Sequence, residues 1–118
     1  MHKEFSETIS ILNDCAAECN HCFNACLNEK DVKMMARCIQ LDRDCADICQ
    51  LTARMLQSDS EVSSEALRLC ITVCEACAEE CERHSDSEHC KRCAEMCRKC
   101  ANACSKALSS ARGMRAVQ

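Results

Sequence analysis

The chain has no proline, no tryptophan and no tyrosine, and only one glycine and two phenylalanines in 118 residues. Interior helix breakers are therefore almost absent, which favours long uninterrupted helices. Aromatic surface for stacking bases is lacking, and so is any basic block. The formal charge is −4, with both signs interspersed along the chain. Nucleic acid is not an expected partner of such a surface. No apolar run approaches the length of a membrane span. The first residues, MHKEFSETISILNDC, show neither the apolar stretch nor the small-residue cleavage site of a secretory signal. The expected compartment is the cytosol, where thiols stay reduced and dense cysteine reads as metal binding before disulfides.

Large aliphatic residues are also scarce. Leu, Ile, Val and Phe together number nineteen, about one residue in six, a level typical of chains that do not fold. Against this shortage stand sixteen cysteines. A protonated thiol behaves as a small buried hydrophobe. The cysteines can therefore complete a core, and fold and chemistry must share residues. The length suits one domain, residues 1–118.

The cysteines fall in four stripes. Cys15, Cys19, Cys22 and Cys26 follow gaps of four, three, four, and Cys70, Cys74, Cys77 and Cys81 repeat them. Cys90, Cys93, Cys97, Cys100 and Cys104 alternate three and four. Cys38, Cys45 and Cys49 form a shorter stripe whose missing member is Asp42. This is the spacing of the buried seam of a packed helix. The breaks lie at NEKD (28–31), SDSE (58–61) and SDSE (85–88). The last two match a capping box, with Ser58 or Ser85 as cap and Glu61 or Glu88 three residues on. Helices are predicted at about 5–28, 31–57, 60–84 and 86–110, with a frayed tail at 111–118. Four such helices with short turns imply an all-α, antiparallel up-down four-helix bundle with a cysteine-lined core.

The stripes are off-centre. Phe5, Ile9, Leu12, Leu51, Met55, Leu56, Val62, Leu67 and Leu108 all map to one end, the expected hydrophobic plug. The other end holds the 28–31 and 84–89 turns, with Met34, Met35, His84 and His89 as candidate mouth residues. The reading is an asymmetric tube, plugged at one end and lined by thiols towards the other.

Residues four apart on a helix have Cβ atoms about 5–6 Å apart, so the two sulfurs of a CxxxC turn can share a metal. Seven such pairs occur: 15/19, 22/26, 45/49, 70/74, 77/81, 93/97 and 100/104. Charge selects the metal. A zinc ion on four thiolates leaves about two net negative charges, and several such sites in one core would repel strongly. One Cu(I) per thiolate leaves the core nearly neutral, and Cu(I) accepts soft thiolate ligands. Multiple Cu(I) ions per chain are thus the expected cargo. A disulfide-stapled helical protein and a zinc or cadmium thiolate buffer stand as alternatives.

CNHCFNAC (19–26), CIQLDRDCADIC (38–49), CEACAEEC (74–81) and HCKRCAEMC (89–97) resemble the cytosolic copper storage proteins, from about residue 12 to residue 104. The resemblance implies a four-helix bundle holding many Cu(I) ions, with the sixteen cysteines as ligands and a homotetrameric assembly. It also implies copper uptake at one end near histidines, which map to His84 and His89. Copper-donating or copper-accepting proteins are further possible partners.

Asp42 has two readings. It is a core carboxylate that bonds or deprotonates a thiol, or helix 2 is rotated so that it pairs with a nearby arginine. The second is preferred because buried acids are rare. Met34 and Met35 could be soft ligands, although Met34, Leu41, Ile48 and Met55 also form a heptad-spaced packing stripe. Leu69, Val73 and Ala76 make a similar flank, suited to helix or subunit packing. His21 lies off the stripe and His2 at the chain start. No catalytic constellation or cofactor fingerprint appears, so the chain does not read as an enzyme.

Overall fold

The computed structural model describes residues 5–117 along the backbone and 5–110 in their side chains. Four helices, α1 (Ser6–Leu27), α2 (Ala36–Gln57), α3 (Ser63–Glu82) and α4 (Glu88–Val117), form a bundle of 53 × 19 × 18 Å. Each helix packs against its two sequence or ring neighbours, in the order α1, α2, α3, α4 and back to α1. The cross-section is that of two helices side by side. Small buried residues permit this close approach: Ala16, Ala46, Ala78, Ala94 and Ala101 each directly follow a buried cysteine.

The buried stripes coincide with the cysteine registers. Helix α1 buries Leu12, Cys15, Ala16, Cys19, Cys22 and Cys26. Helix α3 buries Leu67, Cys70, Cys74, Cys77 and Cys81, among others. All sixteen thiols are fully buried. The plug end contains Phe5, Leu12, Leu56 and Leu67, with Ile9 and Leu108 packed against them. Thr52 lies among them, its hydroxyl donating to the Ile48 carbonyl at 2.7 Å. Two residues expected there face outward instead: Leu51 is 37% exposed and Val62 44%. Leu51 lies two positions after Cys49, and Val62 belongs to the turn before α3, so neither shares the inward face.

Three boundaries differ from those read in the sequence. The SDSE at 58–61 ends α2 rather than starting α3. Ser58 is the C-cap of α2, Asp59 adopts φ 58°, and the Ser60 N–H donates to the Met55 carbonyl at 2.9 Å. That is a Schellman arrangement, with Asp59 in the left-handed position usually taken by glycine. Helix α3 therefore begins only at Ser63, and Ser58 caps nothing at its start. At the second SDSE, α4 begins at Glu88, and the Lys91 N–H donates to the Ser87 carbonyl, so Ser85 lies outside the helix. Ahead of α2, Val32–Met35 forms a single 3-10 turn.

Helix α4 also runs on as helical backbone to Val117, past the expected end near 110. Alanine, arginine and methionine are good helix formers, and a lone glycine costs only about 1 kcal/mol. The side chains of the tail 111–118 lie outside the described residues, as does His2.

A core of thiols offers little bulk to fix helix register, and side-chain contacts that use no thiol join every neighbouring helix pair. Arg43 lies over the Phe23 ring, 4.5 Å from its centroid, joining α1 to α2. Arg37 bonds Glu80 at 2.8 Å between α2 and α3. Arg98 grips Glu82 with two nitrogens, at 2.8 and 3.0 Å, between α3 and α4. Arg92 meets Glu18 at 3.7 Å between α4 and α1.

Candidate metal centre

The four stripes meet along the bundle axis, and their sulfurs approach one another at 3.6–4.0 Å. Some contacts stay within a turn: the pairs 22/26, 45/49, 70/74 and 93/97 lie at 3.8, 3.9, 3.8 and 4.0 Å. Others, equally close, cross between helices, such as Cys19–Cys97 at 3.7 Å and Cys45–Cys74 at 3.6 Å. These crossings make the column continuous. A metal 2.3 Å from both sulfurs of such a pair would subtend about 100–120°, the range of tetrahedral to trigonal coordination. A linear bridge needs the sulfurs only about 0.6–1 Å further apart. One layer takes a single thiol from each helix, Cys15, Cys49, Cys74 and Cys100, with all four sulfurs within 4.8 Å of one another. Below it Cys70 and Cys104 close the column at 3.8 Å, next to the plug.

At the opposite end lies an outer group of Cys22, Cys26, Cys38, Cys81 and Cys90. Cys38 lies 3.8 Å from Cys26 and 3.6 Å from Cys81, and Cys22 lies 4.0 Å from Cys90. His89, in the first turn of α4, directs Nδ1 into this group. That nitrogen is 3.5 Å from the sulfurs of both Cys22 and Cys90 and 4.0 Å from Cys26. Three thiols and an imidazole nitrogen thus converge within 4.8 Å.

Asp42 stands between the outer group and the rest. It is fully buried, and no arginine reaches it among the described residues. Its Oδ1 accepts from Cys77 at 3.3 Å, Cys93 at 3.5 Å and Cys81 at 3.9 Å, and its Oδ2 from Cys38 at 3.9 Å. The preferred sequence reading, a rotated α2 with Asp42 paired to arginine, is therefore overturned. Asp42 keeps the cysteine register because its neighbours in the stripe, Cys38 and Cys45, fix that face inward. Burial, and then the charges of Cys93, Cys77 and Cys38 as thiolates, push its carboxyl up to about 11. It is a neutral acid in the metal-free core at ordinary pH. The thiols of Cys97 and Cys22 are also pushed up, by their hydrogen bonds to neighbouring sulfurs and by burial. Metal must therefore displace protons to bind here.

The mouth candidates separate. His84 is mostly buried, and its Nε2 meets Glu80 Oε2 at 3.0 Å. Burial lowers its affinity for a proton, but the Glu80 carboxylate and the charges of nearby thiolates outweigh this and raise it overall. Glu80 is itself buried, and Arg37 and Arg83 lie 2.8 and 3.6 Å from it. Met35 packs into the core at 5% exposure, whereas Met34 is 66% exposed on the rim. His21 is on the outside, 3.3 Å from Arg92.

Two carboxylates were not singled out in the sequence. Glu80 was legible as the i,i+4 partner of His84. Glu29, whose Oε2 lies 2.7 Å from His89 Nε2, is sixty residues from its partner, and only the apposition of the two mouth turns points to it.

Comparison with known proteins places this fold among known relatives. The family model for the copper storage protein, Csp, matches residues 1–109. An uncharacterized cysteine-rich protein of Bacillus subtilis (strain 168), YhjQ, is 45% identical over 92 residues, covering 77% of this chain and 84% of that protein. A cytosolic copper storage protein from Streptomyces lividans carrying five coppers superposes with a TM-score of 0.87 at 41% identity, over 92% of this chain and 94% of that one. The Cu(I)-bound copper storage protein BsCsp3 does so with a TM-score of 0.82 at 43% identity, over 86% and 95%. The chain, with its four stripes of buried thiols, belongs to the copper storage protein family.

Proposed function

We propose that this protein sequesters Cu(I) in bulk in the cytosol, on the thiolates of all sixteen cysteines. The observation that carries the reading is the continuous column of buried sulfurs, preformed at separations a shared metal can bridge. Cu(I) suits it because each ion brings one positive charge to one thiolate, so a filled core stays near neutrality where burial of net charge is costly. Copper-loaded relatives with the same fold support the choice of metal.

Copper enters at the mouth, which His84 and Met34 flank, with the Met34 thioether as the exposed soft ligand, and His89 with Cys22, Cys26 and Cys90 forms the first closed site. Passage inward goes by Asp42, which touches thiols on both of its sides. Met35 serves packing. The chain assembles as a homotetramer, a reading supported by the exposed apolar residues Leu51 and Leu69 on α2 and α3.

The test is an anaerobic titration of the reduced protein with Cu(I) against a competing chelator, followed by challenge with zinc. Saturation near one copper per thiol with unchanged helicity is expected. Saturation by about four divalent ions, with little Cu(I) taken from the chelator, would instead make the protein a zinc-type buffer.

A further inference from the structure

Glu29 lies in the connection between α1 and α2, and it reaches across the mouth to the start of α4. Its Oε2 is 2.7 Å from His89 Nε2, and the Ser87 hydroxyl donates to the same oxygen at 3.3 Å. Two acceptors do not approach to 2.7 Å without a hydrogen between them, so the proton sits on Nε2. A neutral ring carries one N–H, so Nδ1 then holds a free lone pair. That lone pair is the atom directed at the sulfurs of Cys22, Cys26 and Cys90. The opposite tautomer would set a lone pair against the carboxylate and an N–H against the place a metal would occupy.

We infer that Glu29 is a positioning residue: it fixes His89 in the Nε2–H tautomer and so makes Nδ1 the nitrogen ligand of the outermost thiolate site. The inference deepens the storage reading and rests on it. The carboxylate lies outside the ring and the thiols inside, the arrangement by which outer carboxylates orient metal-bound histidines. His89 is largely covered while Glu29 is about one-third exposed, so the pair also separates the thiols from solvent. The parallel pair at His84 differs in one respect: Glu80 is shared with Arg37 and Arg83, whereas the contacts of the Glu29 carboxylate are to His89 and Ser87.

Two measurements on the full chain test this. The first needs no copper. Long-range proton–nitrogen NMR of the reduced, metal-free protein, above the imidazole titration range, reads the His89 tautomer. Nε2–H is expected in the wild type and a mixture in Glu29→Ala, with restoration in Glu29→Gln, whose amide oxygen can still accept. A wild-type Nδ1–H ring, or an unchanged tautomer in Glu29→Ala, overturns the assignment.

The second measures transfer of the first Cu(I) equivalents from a chelator. Glu29→Ala is expected to weaken this step about 10–100-fold, and to add nothing further in a His89→Ala background. An equal loss in that background would mean that Glu29 acts on the mouth as a whole and not through His89, which overturns the proposal. A wild-type protein that takes up no Cu(I) sinks the storage reading and the ligand role with it. Normal uptake by Glu29→Ala sinks the positioning role alone.

Discussion

The Cys77 thiol donates to Asp42 Oδ1 across 3.3 Å, closer than the 3.6 Å at which the nearest sulfurs of the column meet. A CxxxC pair, Cys77 and Cys81, therefore turns both of its sulfurs towards a carboxyl group on another helix. The acid occupies a position that the stripe on α2 would otherwise give to a seventeenth cysteine.

Asp42 makes the metal-free fold sensitive to alkali. Its carboxyl is raised to about 11 when folded and returns to about 3.9 when unfolded. Below the lower value both states are protonated and the residue costs nothing. Above it, unfolding releases a proton that the folded state retains, so stability falls as pH rises, by at most about 1.4 kcal/mol per pH unit. Asp42→Asn removes this slope. Urea unfolding of reduced, metal-free protein at pH 5, 6.5 and 8 should show the variant pulling ahead of the wild type as pH increases. Midpoints that stay parallel would place the ionised carboxylate in the folded core.

Asp42→Cys restores the four-three-four series on α2 without a change of fold, because the site is already inward-facing and ringed by thiols. The variant should remain helical and bind about one more Cu(I) at saturation, following one copper per thiolate. The readout is copper per protein after gel filtration. A drop in capacity would show that the carboxyl is needed to keep the column in register.

The plug is the part of the core with ordinary hydrophobic bulk. Leu67 is fully buried there. Leu67→Ala should lower the stability of the metal-free protein by about 2–5 kcal/mol. It leaves all sixteen thiols in place, so copper capacity should be unchanged once the protein is folded. Loss of capacity in step with loss of stability would mean that plug and column are not separable.

Asp59 holds a left-handed backbone conformation at the end of α2. Glycine takes that conformation without a Cβ penalty. Asp59→Gly should therefore raise stability, by up to about 1 kcal/mol, or about 3–6 °C in Tm for a chain of this size. A calorimetric scan of the reduced protein decides it, and a lower Tm would mean that the aspartate side chain contributes more than its backbone strain costs.

Much of the architecture was legible because one residue type marks the inward face. The four stripes gave helix number, inward register and the offset between mouth and plug. The SDSE segments misled because Ser-x-x-Glu reads the same whether a helix starts there or has just ended. The backbone sign at Asp59, which decides between them, leaves no mark on the side-chain pattern. Asp42 misled for a different reason. The rarity of buried acids is a rule about charged groups, and burial, with the charges of Cys93, Cys77 and Cys38 as thiolates, raises the proton affinity of this one so that it stays neutral. Leu51 and Val62 map to the plug end by their place along the helices, although neither falls on the cysteine face. Glu29 needed three dimensions, since its partner lies sixty residues away.

The clasps at the four helix seams, Phe23–Arg43, Arg37–Glu80, Glu82–Arg98 and Glu18–Arg92, lie around the thiol column and outside it. They work like hoops around the staves of a cask. None of them uses a thiol, so a change of contents from protons to metal leaves these ties between the walls unbroken. A lining left out of the clasps in this way is free to be chosen for its affinity for cargo.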